Sequence, residues 1–151
     1  MENKIIVAVV GVVYDRKGRI LLSLRQDKES PETNLKWEFP GGELKFGETA
    51  TECLIREVRQ ETGYLVEPQQ VVDLIWSNIF DIPAEARKIQ VIVIPFMCQV
   101  MGGPFYKESD EALEVKWFNP SAIAKLDTLP GVKEIVTSAL KYLRRSSNDG
   151  L

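Results

Sequence analysis

The chain has 151 residues, of which 44% are hydrophobic and 27% charged, and its formal net charge is −3. This length is typical of one domain and this composition of a folded globular protein, so we expect a single domain over residues 1–151 and no disorder. A small negative charge argues against a basic surface that binds duplex nucleic acid.

The first half of the chain predicts strands and one helix. Residues 5–14 are almost continuously apolar and β-branched, which is typical of a strand buried on both faces. Residues 15–18 form a predicted turn, and residues 19–25 return as the second strand of a hairpin. A polar loop and a compact Trp-Glu-Phe-Pro-Gly-Gly turn follow at 26–42. Thr49 and Glu52 have the form of a capping box, so a helix should begin after Thr49 and end at Gly63.

The second half predicts further strands at 65–67, 71–75, 88–101 and 115–118. Asn119 as the N-cap and Pro120 as the first helical residue predict a short helix. A final amphipathic helix begins near Pro130, because its apolar residues recur at helical spacing. Together these elements indicate an α/β domain in which a mixed sheet has helices outside it.

Counts of particular residue types limit the chemistry and the compartment. The chain has no histidine and two cysteines, which excludes Ser-His and Cys-His nucleophiles, His-ligated zinc and a four-cysteine zinc site. Catalysis must therefore depend on carboxylates, Lys, Arg, Tyr or a hard cation such as Mg2+. The absence of a signal-peptide pattern or a long apolar run, together with a lack of paired cysteines, leads us to expect a cytoplasmic protein.

The predicted helix after Thr49 carries two glutamates on its apolar side. On a helical wheel, Glu57 and Glu61 fall between Cys53 and Leu54, within the stripe that should face the protein. Like charges at i and i+4 destabilise a helix, whereas a bound divalent cation removes their repulsion. One glutamate would be explained by a side chain that bends outward to solvent. Two convergent glutamates favour a metal site.

These residues belong to a longer pattern. Gly42, five residues, Glu48, seven residues and the run Arg56-Glu57-Val58-Arg59-Gln60-Glu61-Thr62-Gly63-Tyr64 resemble the Nudix box, GX5EX7REUXEEXGU, in which U is aliphatic. Gln60 replaces the first Glu of the pair, and Tyr64 replaces the last aliphatic residue. The preceding segment, residues 37–42, resembles the one that leads into the box in MutT-like members of the Nudix family.

The resemblance implies a Nudix α/β/α sandwich and Mg2+-dependent hydrolysis of a nucleoside diphosphate linked to another moiety, with Mn2+ as a substitute for Mg2+. It implies Glu57 and Glu61 as metal ligands, joined by the backbone carbonyl of Gly41 and by Gln60 at the substituted position. A neutral amide is a poorer ligand for a second Mg2+, so the number of ions stays open.

The family also implies catalytic residues. Glu57 or a glutamate from a later loop would accept the proton of the attacking water. Glu111 is the first choice for that later residue and Glu108 the second, with an acidic surface loop as the alternative. Arg56 is expected to pair with a nearby carboxylate, Glu48 or Glu52, in support of catalysis; a solvated surface charge is its alternative.

Substrate contacts are suggested by one arginine and three aromatic residues. Arg25 resembles the arginine that meets substrate phosphate in MutT-like proteins, although it could equally be a solvated charge at a strand end. Trp76, Phe80 and Trp117 are candidates for stacking on a base, with core packing as the alternative for each.

The MutT-like segment favours a nucleoside triphosphate that is cleaved to a monophosphate and pyrophosphate. The alternatives are hydrolysis of ADP-ribose or another nucleotide sugar, and a non-catalytic Nudix module that binds a ligand. Residues 129–132 read Leu-Pro-Gly-Val and lack the Asn or Asp that holds oxidised guanine in sanitising members, so the sequence does not predict specificity for 8-oxo-dGTP. The expected partner is a small-molecule nucleotide, rather than duplex nucleic acid or a membrane, and a homodimer is left open.

Overall fold

A computed structural model describes residues 2–108 and 112–149. Its strands are β1 (Lys4–Tyr14), β2 (Ile20–Arg25), β3 (Trp37–Glu38), β4 (Gly41–Glu43), β5 (Leu65–Val71), β6 (Trp76–Ile82), β7 (Arg87–Gly102) and β8 (Ala112–Phe118). Its helices are α1 (Ala50–Thr62), α2 (Pro120–Ile123) and α3 (Val132–Asp149), and a 3-10 turn spans Pro83–Glu85. Within this part of the chain, no helix combines the length and the apolar character that crossing a membrane requires.

The strands form one mixed sheet around β1 and β7. These two strands run parallel from the Lys4–Ile89 pair to the Tyr14–Gln99 pair. The other pairings are antiparallel: β2 and β4 pair with β1, β5 and β6 pair with β7, and β3 and β8 pair with β2. The predicted hairpin of β1 and β2 is therefore present, and it lies next to a long parallel pair.

Two apolar clusters lie on opposite faces of the sheet. One cluster packs α1 against the sheet through Cys53, Leu54 and Val58, and the other packs α3 against it through Ile135 and Val136. Alternate residues of β1 enter the two clusters, which explains why that strand is apolar on both faces. The predicted α/β/α sandwich is confirmed.

Helix α1 has the predicted bounds and caps. The Thr49 hydroxyl accepts a hydrogen bond from the Glu52 N–H at 3.2 Å, and Gly63 adopts a left-handed conformation with φ of 81°. Local capping chemistry thus determines both ends of the helix that carries Glu57 and Glu61.

Several predicted elements differ from the structure. The prediction of a strand at 71–75 is wrong, because β5 ends at Val71 and the next strand, β6, begins at Trp76. Strand β6 pairs with β7 along its whole length and exposes alternate residues, so it follows the pattern of a half-buried strand. Strands β3 and β4 occupy part of the predicted turn at 37–42. Helix α2 begins at Pro120 as expected, but the Asn119 side chain makes no capping hydrogen bond.

Candidate active site

A cavity of about 700 Å3 is lined by residues of the sheet, of α1 and of the first turn of α3. The cavity is bordered by Glu57 and Glu61 of α1 and by the Gly41-Gly42 backbone of β4. Side chains of β1, β6 and β7, most of them apolar, also border it. The cavity therefore connects the two predicted metal ligands to the sheet.

Glu61 is held in place by two neighbouring strands. Its side chain is almost buried, and the residue is 8% exposed. The buried Ser23 hydroxyl of β2 donates a hydrogen bond to Glu61 Oε1 at 2.6 Å, and the Gly41 N–H of β4 donates to Oε2 at 3.3 Å. These two hydrogen bonds restrict the rotation of the Glu61 carboxylate.

Glu57 is held from its own helix and from the preceding loop. The Arg56 guanidinium donates to Glu57 Oε1 at 2.6 Å and to Glu48 Oε1 at 2.9 Å, so it joins the two carboxylates. The hydrogen bond from Arg56, supported by one from the Lys45 N–H, lowers the pKa of Glu48 to about 2. Arg56 therefore pairs with Glu48, which was one of the two carboxylates proposed for it.

Two glycines allow β4 to approach α1 and β1. A Cβ atom on Gly42 would lie 2.6 Å from the Glu57 carboxyl carbon. A Cβ atom on Gly41 would lie 2.2 Å from the Val9 carbonyl oxygen, and Gly41 has a φ of 153°. Position 41 therefore requires glycine, because a side chain there would collide with the β1 backbone, whereas a side chain at position 42 would displace the Glu57 carboxylate.

Arg25 lies on the cavity wall at the end of β2. Its guanidinium donates to Asp27 at 3.1 Å, to Glu38 at 3.4 Å and to the Thr33 hydroxyl at 3.2 Å. Burial lowers the pKa of Arg25, but the Glu38 and Asp27 carboxylates outweigh this effect, and the net pKa is raised. The side chain is 38% exposed and thus combines a fixed position with access from the cavity.

The sequence profile of the NUDIX domain matches residues 4–139. The chain belongs to the Nudix family. It is 34% identical over 119 residues to a MutT-like protein of Streptomyces ambofaciens, and 31% identical over 120 residues to an ADP-ribose pyrophosphatase of Methanocaldococcus jannaschii. These alignments cover 79% and 80% of this chain but 67% and 65% of the two relatives, so the chain spans about two thirds of their length.

The fold has a solved counterpart in the same family. The crystal structure of a MutT protein from Methanosarcina mazei superimposes with a TM-score of 0.67 at 26% identity, and the alignment covers 97% of each chain. The Nudix sandwich is therefore shared over almost the whole length of the chain.

The donor set at the Nudix box suits a hard divalent cation. Glu57 and Glu61 point into one cavity next to the β4 backbone, and Mg2+ is commonly bound by one or two carboxylates together with substrate phosphates. Within residues 2–108 and 112–149, no group of three or more acidic or thiol side chains could hold a metal ion. Gln60 is partly exposed and, unlike Glu57 and Glu61, is not part of the cavity wall.

The loop that leads to the late carboxylates is attached to the Nudix helix. The Glu108 N–H donates to the Gln60 carbonyl at 2.9 Å, and Ala112 pairs with Arg25 at the end of β2. The Glu108 residue is exposed, and Glu111 lies outside the described residues. The Glu108 backbone thus lies at the C-terminal end of α1, and Ala112 lies beside the end of β2.

The three aromatic candidates occupy different places. Trp76 and Phe80 of β6 border the cavity. Trp117 does not: its indole N–H donates to the Tyr64 hydroxyl at 3.1 Å, and the two rings make an edge contact on the α1 side of the sheet. Core packing, which was the alternative for Trp117, therefore accounts for its position.

Ser23 was not among the sequence candidates, although a polar residue within the apolar strand Ile20–Arg25 was a visible signal.

Proposed function

We propose that this chain is a Mg2+-dependent nucleotide pyrophosphohydrolase that cleaves a nucleoside triphosphate to a monophosphate and pyrophosphate. The observation that supports this proposal most directly is the set of charged residues that border the cavity. Glu57 and Glu61 are both held there by hydrogen bonds, and Arg25 borders the same cavity.

In this proposal, Glu57 and Glu61 hold the cation, together with the Gly41 carbonyl. When bound, Mg2+ lowers the negative charge of the phosphates and makes a water molecule more acidic. Ser23 and the Gly41 N–H keep the Glu61 carboxylate in one orientation, and Arg56 does the same for Glu57. Because the two carboxylates are already oriented, they need to move less during the reaction.

In the proposed reaction, residues of this chain accept the proton of the attacking water and bind a phosphate of the substrate. The water oxygen forms a bond to a phosphorus atom of the anhydride while the bond to the leaving pyrophosphate oxygen breaks. The proton of that water passes to a carboxylate, either Glu57 or a glutamate of the late loop, Glu111 or Glu108. Arg25 binds a phosphate oxygen and fixes the substrate along the cavity.

Hydrolysis of ADP-ribose or another nucleotide sugar is the second candidate. It is supported by the relative from M. jannaschii, which is named an ADP-ribose pyrophosphatase. Both candidates break a phosphoanhydride with the same residues and differ in what the remainder of the cavity holds. A non-catalytic module is less well supported, because both box carboxylates at positions 57 and 61 are retained.

The test is product release from a panel of nucleoside triphosphates, ADP-ribose and nucleotide sugars, with Mg2+ or with a chelator. We expect Mg2+-dependent turnover that falls about 100-fold or more in Glu57→Gln. The matched control is Glu52→Gln, which makes the same change at an exposed position of the same helix and should retain activity. Full activity of a folded Glu57→Gln protein would contradict the site assignment.

A further inference from the structure

Strand β6 forms an open edge of the sheet. It pairs with β7 along all seven of its residues, and no other strand of the described residues pairs with it. Its remaining backbone N–H and C=O groups therefore point away from the sheet. Asn78, Ile79 and Phe80 all border a cavity of about 330 Å3. Because consecutive residues of a strand project from opposite faces, a cavity that contacts all three lies beside the edge, and the edge is accessible.

The other open edges carry features that prevent pairing, and β6 lacks them. Charged residues, proline, irregular register and short length protect edge strands. Strand β5 contains Pro68, and its register with β7 shifts twice. Strand β8 contains Glu114 and Lys116, and β3 and β4 have only two and three residues. In β6 the register is continuous, there is no proline, and Asp81 is the one charged residue. Strand β6 is therefore the edge best suited to pair with another strand.

The sequence of β6 is complementary to itself in one antiparallel register. A two-fold axis perpendicular to the sheet through Ile79, the middle residue of the strand, pairs all seven residues with those of a second copy. Asp81 then lies opposite Ser77 of the second copy, and a serine hydroxyl can donate a hydrogen bond to a carboxylate. Ile79 lies opposite its own copy. On the other face, half-buried residues meet: Trp76 with Ile82, and Asn78 with Phe80.

Neighbouring registers bring like charges together or shorten the ladder. An axis through Asp81 places two Asp81 carboxylates opposite each other, and an axis through Ser77 places Asp73 opposite Asp81. Like charges directly opposite destabilise a strand pair. An axis through Asn78 or Phe80 pairs only part of β6, because two residues at one end extend beyond the strand of the second copy. The register about Ile79 therefore combines the longest ladder with the most favourable charge pattern.

We propose that this protein forms a homodimer in which the two β6 strands pair antiparallel about Ile79, so that the two sheets become one. A second copy is the occupant that the edge favours, because the single charged residue of β6 meets a hydroxyl rather than a like charge. The interface is continuous with the candidate active site. Trp76 and Phe80 border the cavity of about 700 Å3, and Ile82 and Asn78 of the second copy lie beside them in this register.

The first arm of the test is the molecular mass in solution, measured by sedimentation across a dilution series. The wild-type protein should have twice the monomer mass, and Ile79→Lys, which places two ammonium groups opposite each other on the axis, should have the monomer mass. Ile5→Lys is the matched control, because Ile79 and Ile5 are 57% and 64% exposed and both pair with Gln90, so they share a face. Ile5→Lys should stay dimeric.

Two outcomes of this arm would overturn the proposal. A wild-type protein that is monomeric throughout the dilution series has no such interface. Dissociation of Ile5→Lys together with Ile79→Lys would show that the copies pack through the face of the sheet rather than through its edge.

The second arm tests the register through the sign of one charge. Ser77→Lys places an ammonium group opposite Asp81 of the second copy and should tighten the dimer, whereas Ser77→Asp should weaken it. Because the two-fold axis creates each contact twice, either change should alter the dissociation constant by about 2- to 30-fold. Thr51→Lys and Thr51→Asp make the same changes of net charge at an exposed position of α1 and should have no effect. Equal effects of the two Ser77 variants would overturn the register.

The third arm is a cross-link on the axis. Directly opposite residues of an antiparallel pair have Cα atoms about 4.5–5.5 Å apart, which is within the range that a disulfide spans. Ile79→Cys should therefore form a disulfide-linked dimer with oxidised glutathione, while the two native cysteines are buried. Ile5→Cys should form none. A dimeric Ile79→Cys protein that gives no cross-link would overturn the pairing about Ile79.

Discussion

Replacement of Ser23 by alanine tests how the protein orients its proposed metal ligand Glu61. The Ser23 side chain is completely buried, and its hydroxyl donates to Glu61 Oε1 at 2.6 Å. The substitution removes this donor and leaves the carboxylate of Glu61 in the same buried position. We expect both the free energy of unfolding and the response to Mg2+ to decrease.

The loss of stability follows from the type of hydrogen bond. A hydrogen bond to a charged partner contributes about 1.5–3 kcal/mol, compared with about 0.5–1.5 kcal/mol between neutral groups. In a domain of this size, 1 kcal/mol corresponds to about 2–4 °C in Tm. Ser23→Ala should therefore lower the Tm of the metal-free protein by about 3–12 °C.

The effect on Mg2+ binding is a separate quantity. Residues that orient a metal ligand typically change metal affinity by about 10- to 100-fold when they are replaced. At a Mg2+ concentration 100 times the dissociation constant, binding stabilises the folded state by about 2.7 kcal/mol, and tenfold weaker binding reduces this to about 1.4 kcal/mol. The Mg2+-induced rise in Tm should thus fall by about half or more in Ser23→Ala.

The assay is thermal unfolding of each protein with a chelator and across a Mg2+ titration. The matched control is Thr62→Val, which removes another buried hydroxyl from the same region; the Thr62 hydroxyl donates to the Val58 carbonyl at 2.7 Å. It should lower Tm but leave the Mg2+-induced rise unchanged. Equal Mg2+-induced rises in wild type and Ser23→Ala would refute the orienting role of Ser23.

Three further predictions concern charges at the site. Gln60→Glu restores the carboxylate that the Nudix box has at this position of α1 and should tighten Mg2+ binding, as measured by calorimetry; weaker binding in the folded variant would contradict the ligand set. Glu111→Gln and Glu108→Gln should differ in turnover at saturating Mg2+, and equal, unreduced rates would assign the general base to α1. Because Arg56 lowers the pKa of Glu48 to about 2, the stabilisation from this pair is complete above the ordinary value of 4.5 and decreases as the pH falls toward 2. Glu48→Gln should therefore make Tm less dependent on pH between 4.5 and 2, and an unchanged pH profile would contradict this assignment.

The parts of the fold that the sequence predicted correctly are those with local signals. The capping residue Thr49 and the left-handed Gly63 lie next to the helix they delimit, and the apolar spacing along α1 directed Glu57 and Glu61 inward. In contrast, β6 is defined by its pairing with β7, and its alternating residues were not recognised as a strand. A strand whose register depends on a partner carries a weaker signal in its own sequence.

The contacts that complete the site were harder to predict because they join distant parts of the chain. Ser23 and Glu61 are 38 positions apart, and nothing next to Ser23 indicates a carboxylate partner. The contact between Trp76 and Gly131 similarly joins an edge strand to the start of the last helix. Such contacts arise when the fold brings distant segments together, so they follow from topology rather than from local propensity.

The precise placement of the two carboxylates is explained by attachment of α1 at several points. Its N-terminal end is capped by Thr49, and Gly42 lets β4 pack against Glu57. At its C-terminal end, the Gly63 carbonyl accepts a hydrogen bond from the Phe105 N–H at 2.6 Å. A Cβ atom on Gly63 would lie 2.3 Å from the Phe105 carbonyl oxygen, so this end of the helix and the loop toward the late carboxylates fit only with glycine there. The helix that carries the proposed metal ligands therefore also fixes the position of the Phe105 backbone.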